Sequence, residues 1–370
     1  MKRISIFGFP SHQEKTRTHG VDFVRLIQPL EHLNGYNDGE YTFETKIFDI
    51  RKKTQWDEVA KEFDIIYFNY IHNTWGYAAM GAMARNFGTK LVLELDDALW
   101  HVRVDNPAYE AWKKDGENLY NLNCIINDVD AVTTTNSYLK HVIMNNTKKS
   151  NEQIGVFPNC IDFKLYKYRS PFKDTGEHIM LTHFGSTTHF KDLETSAFVK
   201  GVDRIMKEYP NVKFQTIGAF MPQFKNKWGL RYEHPFGNED IYKWIKTPDK
   251  FPKFMAETDI IVVPLEEDIY NKSKSDIKYS EASSAKIPGV YQDIRQYHER
   301  ITDGVDGFLA TKDTQWYKKI KQLIDDKELR RSMGEKAFEN VSKNRNIKDI
   351  IPEYAEFFKK LVIDNKEKKE

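Results

Sequence analysis

Cysteine is scarce: the 370 residues hold two, Cys124 and Cys160. Two thiols make neither a disulfide framework nor a four-cysteine zinc site, and their default setting is a reducing, cytoplasmic compartment. Long apolar runs are also lacking. None approaches the ~20 residues that a membrane helix needs. The opening MKRISIFGFPSHQ carries too short an apolar run for a signal peptide and reads as a first strand. There is no excess of either charge. Lys and Arg number 56 against 55 Asp and Glu, a net charge of +1, which excludes a chain that holds nucleic acid by bulk positive charge. Repeats at solenoid spacing and low-complexity tracts are missing as well. What is there is 40% hydrophobic, 30% charged and 14% aromatic. That is the composition of a globular chain with sizeable cores, and at ~150 residues per domain the length predicts two domains.

Short apolar runs alternate with longer amphipathic ones. Runs 4–7, 46–50, 65–70, 91–95 and 131–134 are rich in β-branched and aromatic residues and stop at polar, Gly or Pro positions, as strands do. Helical spacing appears over 22–33, where Phe23, Leu26, Ile27 and Leu30 share a face, and over 77–86 and 109–127. Residues 156–178 interrupt the alternation with Pro and polar residues and read as an interdomain linker. Strands then resume at 179–184, 213–217, 259–265, 290–293 and 308–310, with helices at 191–208, 275–286, 313–325, 328–343 and 347–363. Strands alternating with helices predict parallel sheets. The expected architecture is α/β: two Rossmann-like domains, residues 1–165 and 166–345, facing a central cleft, with residues 346–370 forming a last helix and a solvated tail. Ligands of such sheets bind outside the carboxyl ends of the strands.

The most informative segment is DIIVVPLEEDIYNKSKSDIKYSEA, which begins at Asp259. An apolar strand ends at Pro264, a polar loop follows, and a helix is expected to start near Ser275, with Ser273 or Ser275 as its cap. The amino end of such a helix suits a phosphate, and Lys274 and Lys278 add positive charge beside it. Glu281, two turns on, suits the paired hydroxyls of a ribose. The alternative is a helix with solvated Lys and Glu.

In the first domain, LVLELDDALWHV ends a strand with Asp96 and Asp97. Three readings are open: a hard-cation site, a general base for an acceptor hydroxyl in which like charges raise one pKa, or a loop pair bonding local backbone. His72 follows the strand at 65–70 and is either a substrate contact or an ordinary loop histidine. In the loop 11–19, Lys15 and Arg17 are cationic candidates, and Gly20 permits close backbone approach at a helix start. Residues 225–253 interleave Lys and Arg with Trp228 and Trp244, a pattern that suits either base stacking or core packing.

The run Asn271-x-x-Lys274-Ser275-x-Ile277-Lys278-x-x-Glu281-Ala282, then Ile287-Pro288-x-Val290, Tyr297 and Ile301-x-Asp303-Gly304-x-x-Gly307-Phe308-Leu309, resembles the donor-site motif of GT-B glycosyltransferases of the family 4, group 1 type. Phe184-Gly185-Ser186-x-x-His189-x-Lys191-Asp192-Leu193 is similar to the first glycine turn of that family's second domain, and Pro158-Asn159-x-Ile161-Asp162 to the segment leaving its first. The resemblance implies that Lys274 and Ser275, helped by Lys191 or His189, meet a donor diphosphate and that Glu281 holds its ribose. Donor binding would then draw on Gly185, Ser186, His189, Lys191, Asn271, Lys274, Ser275, Lys278 and Glu281. It also implies retention of configuration, a last helix that crosses back to the first domain, and no metal or other cofactor. The first-domain strand end matches the family's acceptor-side catalytic position, which favours Asp97 over Asp96 and argues against a cation there. Two departures stand out. Ser273 occupies the place of the family's first paired glutamate, and Ser186-Thr187-Thr188 replaces a turn that often carries Arg. DDALWHVRVDNPAY resembles loops of phage-encoded members, some of which glycosylate hydroxylated DNA bases, so the acceptor is expected to be a glycan or modified DNA, and the compartment the cytoplasm, that of the host for a phage protein. The rival readings on the same fold are a weakly catalytic sugar-nucleotide or glycan-binding protein and a sugar-nucleotide epimerase.

Overall fold

The computed structural model describes residues 2–10, 19–49, 55–69, 74–167, 178–218, 220–233 and 251–366. It contains two six-stranded sheets, and every strand pairing within them is parallel. The first sheet uses β1 (Lys2–Phe9), β2 (Tyr41–Ile47), β3 (Ile65–Asn69), β4 (Lys90–Glu94), β5 (Ala131–Thr134) and β6 (Ile154–Val156), in the order β2-β1-β3-β4-β5-β6. The second uses β7 (Ile179–Gly185), β8 (Val212–Gly218), β9 (Tyr232–Glu233), β10 (Ile260–Val263), β11 (Gly289–Gln292) and β12 (Phe308–Ala310), in the order β12-β11-β10-β7-β8-β9. Strand order reverses between β1 and β3 and between β10 and β7. Those switch points are where a parallel sheet leaves a crevice at its carboxyl edge.

Most central strands are buried on both faces, as helix-covered parallel sheets require. The edge strands are more polar or shorter. The strand expected at 46–50 lies earlier, at Tyr41–Ile47: Tyr41 and Phe43 are buried and Ile47 packs partly against the core, while Thr42, Glu44, Thr45 and Lys46 between them are polar and mask the apolar run. β6 and β9 have three and two residues, too few to show a period. The helix expected over 109–127 is two helices, Tyr109–Trp112 and Glu117–Asp128, separated by a turn in which the Gly116 N–H donates to the Lys113 carbonyl.

The carboxy-terminal helix Ile347–Lys366 packs Ile350, Ile351, Tyr354 and Phe358 against Ile4, Ile6, Leu26 and Tyr67 of the first sheet's layer. The Phe157 ring stacks on Tyr354, 4.0 Å between centroids. The two crossings between domains run side by side: the Ile161 N–H donates to the Arg345 carbonyl at 2.7 Å, and the Ile347 N–H to the Ile161 carbonyl at 3.0 Å. Among the described residues no helix is long and apolar enough to cross a membrane.

Candidate active site

A cavity of about 510 Å³ lies between the carboxyl edges of the two sheets. The first domain lines it with His19, Gly20, Arg25, Asp96, Asp97 and Asn159. The second contributes the turn Gly185–His189, Lys274, Ser275, Lys278, Glu281 and Tyr297. The sequence candidates Gly20, Asp96, Asp97, Gly185, Ser186, His189, Lys274, Ser275, Lys278 and Glu281 thus share one cleft. Lys191 stands apart, its ammonium donating to Glu194 at 2.8 Å on the surface. Asn271 is buried and donates to Asp192 at 2.9 Å and to the Glu266 carbonyl at 3.0 Å, tying the loop after β10 to the turn after β7. His72, Lys15 and Arg17 lie outside the described residues, as does Trp244. Trp228 is a core residue, stacked on Phe224 and tilted against Phe214.

The helix at the cleft spans Ile277–Ser284, and its cap is Asp276, neither of the two serines expected. Asp276 is turned away from the cleft toward Arg345, 2.8 Å, and Arg300, 3.6 Å. Ser273 turns its hydroxyl to the Ile269 carbonyl at 2.7 Å. Ser275 accepts from the Asn159 amide at 2.8 Å. The loop is held on both sides: Arg295 donates to the Lys272 and Lys274 carbonyls, and Asn136 of the first domain to the Ser273 carbonyl.

Two ammonium groups dominate the electrostatics. Lys274 reaches across the cleft to Asp97, 3.2 Å, and lies 4.2 Å from the centre of the Tyr270 ring, whose hydroxyl donates to the other Asp97 oxygen at 3.2 Å. Burial works against its charge, but Asp97 and then Asp192 more than offset that and hold its pKa above the ordinary range. Lys278 makes no ion pair among the described residues, although Glu281 and Asp192 favour its charge. Burial, and next the charge on Lys274, bring its pKa down to about 8. Its ammonium donates to His189 Nε2 at 3.1 Å, while His189 Nδ1 donates to Asp192 at 2.8 Å. Burial and the two lysines keep His189 far below its usual pKa, so the ring is neutral and acts as a relay between carboxylate and ammonium. Gly185 is required here, since a Cβ would come within 2.8 Å of His189.

The acids differ. Glu281 is pushed up to about 8 by burial, against the pull of Lys278 and a hydrogen bond from Tyr166. Asp96 is also raised to about 8, by burial first and then by Asp97 and Glu94. A carboxyl raised in this way beside a second acid suits proton handling. Arg25, overlooked in the sequence because a charged residue on a helix reads as solvated, is fully buried. It donates to Glu94 at 2.7 Å, to the Phe157 carbonyl at 2.6 Å and to Asn159 at 2.8 Å. It sits in a π-helical turn, Phe23–Ile27, a local irregularity that a 3.6-residue period hides.

Residues 180–326 match the family model described as Glycosyl transferases group 1. The fold is GT-B. The Anabaena protein Alr3699/HepE, solved with UDP and glucose, superposes with a TM-score of 0.67 over 96% of this chain and 100% of its own, at 14% identity. A glycosyltransferase from Rickettsia africae gives 0.63 over 98% and 99%, at 13% identity. Sucrose-phosphate synthase from Thermosynechococcus elongatus gives 0.63 over 98% and 100%, at 12% identity. No curated protein matches the chain in sequence. In this GT-B chain the matched segment carries Lys274, Lys278 and Glu281, and the other wall of the cleft comes from the first domain.

Proposed function

We propose that the protein is a glycosyltransferase that moves a sugar from a nucleotide-sugar donor, UDP-linked as in the Anabaena HepE complexes, to an acceptor hydroxyl. The observation that carries this is the convergence of Lys274, Lys278 and Glu281 on one interdomain cleft. The donor diphosphate lies against the two ammonium groups and the amino end of the helix Ile277–Ser284, which stabilise the leaving charge without proton transfer. Tyr166 and Lys278 orient the Glu281 carboxyl toward the ribose hydroxyls. Asp97, with Asp96 beside it, faces this position from the acceptor domain and takes the proton of the attacking hydroxyl. His189 and Asp192 aim Lys278. The two lysines take the charge-neutralising place of a metal, so none is required, and the hydroxyl attacks on the face from which the diphosphate departs, which retains the anomeric configuration. The acceptor is a glycan hydroxyl or the hydroxyl of a modified DNA base, the latter for a phage enzyme. The glycan is favoured because Trp228, one of the two tryptophans offered for base stacking, is locked in the core. The protein acts in the cytoplasm.

The test is incubation with a panel of nucleotide sugars and both acceptor classes, followed by mass spectrometry of the acceptors. A mass gain of one sugar with release of nucleoside diphosphate supports the reading. A new sugar nucleotide formed without acceptor makes the protein an epimerase, and tight UDP binding without turnover makes it a binding protein. Lys274→Ala should weaken UDP binding at least ~10-fold by calorimetry; an unchanged affinity refutes the site.

A further inference from the structure

Ser275 reaches the cleft from the second domain, yet its hydrogen-bond partner, Asn159, belongs to the segment leaving the first. The Asn159 carboxamide stands between two groups. Arg25 Nη1 lies 2.8 Å from its Oδ1, and Ser275 Oγ lies 2.8 Å from its Nδ2. Arginine has only donors, so the amide must turn its oxygen to Arg25 and its NH₂ to Ser275. The orientation is therefore dictated by chemistry. Arg25 cannot drift, because Glu94 accepts from its Nε and the Phe157 carbonyl shares its Nη1. Ser275 Oγ is thus an acceptor toward Asn159, and its own proton, which has no acceptor among the described residues, is left for a ligand in the cavity that Ser275 lines.

We propose that Arg25 and Asn159 are positioning residues that commit the Ser275 hydroxyl to donate to the donor diphosphate. The inference rests on the function proposed above. It makes the Ser275 contact depend on both domains. The second domain supplies the hydroxyl and the first dictates which way its proton points, so the contact is complete only while the cleft surfaces are together. It also gives a reason for the buried Glu94–Arg25 pair, whose side chains are 1% and 2% exposed, to lie at the wall of the cavity that Arg25 lines.

The test compares UDP with uridine, which lacks the diphosphate, on the full chain and on Ser275→Ala, Asn159→Leu, the double variant and Lys274→Ala. Calorimetry reads UDP and NMR titration reads uridine. Ser275→Ala and Asn159→Leu are each expected to weaken UDP about 10-fold, the loss of one hydrogen bond to a charged group, and to leave uridine binding unchanged. The double variant is expected to be no weaker than Ser275→Ala, because Asn159 acts only through Ser275. Two independent losses that multiply in the double variant would overturn the relay. So would an equal loss for uridine, which marks general damage to the fold. If Lys274→Ala weakens UDP while Ser275→Ala does not, this inference fails and the site reading stands. If neither does, both fail. Asn159→Ala replaces Asn159→Leu should the latter not fold.

Discussion

Lys274 cannot hold a diphosphate and Asp97 at full strength together, so Asp97→Asn should separate donor affinity from turnover. The two charges are 3.2 Å apart, which corresponds to about 5 kcal/mol at an effective dielectric of about 20. Most of that is not lost when the pair is broken. Asp97 is 26% exposed, so water replaces the ammonium, and the Tyr270 hydroxyl remains bonded to the other oxygen. A net cost of about 1–2 kcal/mol is reasonable for a pair at this depth. In the wild type, UDP must meet that cost. In Asp97→Asn it need not, and the repulsion between carboxylate and phosphate is gone as well. UDP should therefore bind about 10-fold more tightly to the variant. Turnover should fall about 100-fold or more, because an amide cannot take the acceptor's proton. The assay is UDP calorimetry alongside kcat for the transfer reaction. Weaker UDP binding by the variant would show that Asp97 does not compete for Lys274, and unimpaired turnover would remove it from the chemistry.

Glu281→Gln should raise the donor KM several-fold for a ribose donor and leave it unchanged for a 2′,3′-dideoxy donor, as steady-state kinetics with the two donors would show. UDP affinity should fall as the pH rises through about 8. Lys278 is charged below that value and loses its proton above it, while Glu281, also near 8, turns anionic over the same interval and offsets only part of that loss through stronger hydrogen bonds to the ribose. For one titrating proton the slope approaches about 10-fold per pH unit. Calorimetry across that range should find the slope much reduced in Lys278→Met, and a flat wild-type profile would contradict the assignment. Arg25→Met should destabilise the fold by about 3–5 kcal/mol by stranding Glu94 in the core, measured by urea denaturation. Arg25→Met with Glu94→Leu should recover part of the loss.

Much of the site was legible along the chain, and the reason is local. Lys274, Ser275, Lys278 and Glu281 lie within eight positions on a single strand–loop–helix unit, so spacing and residue chemistry bring them to one place whatever the rest of the molecule does. The same holds for Gly185, Ser186 and His189 after β7. The buried strands of both sheets were equally plain, because a parallel strand covered on two faces leaves a run of β-branched and aromatic residues. What remained hidden was of two kinds. Short edge strands such as β6 and β9, three and two residues long, carry no period of their own. Arg25 and Asp192 are charges whose burial has no mark in their own neighbourhood: Arg25 is paid for by Glu94, 69 positions away, and Asp192 by His189, Asn271 and the Glu266 N–H.

The sequence by itself determined the alternation of strands and helices, the two-domain division and the chemical character of each half of the cleft, since these follow from patterns within a few turns of chain. Only the tertiary structure decided that Asp97 meets Lys274, that Asn159 turns its amide toward Ser275, and that Lys278 rather than Lys191 faces the cavity. Each of those contacts joins atoms from separate elements across a desolvated gap. Their strength depends on distance and burial, quantities that exist only once both sheets have folded and met.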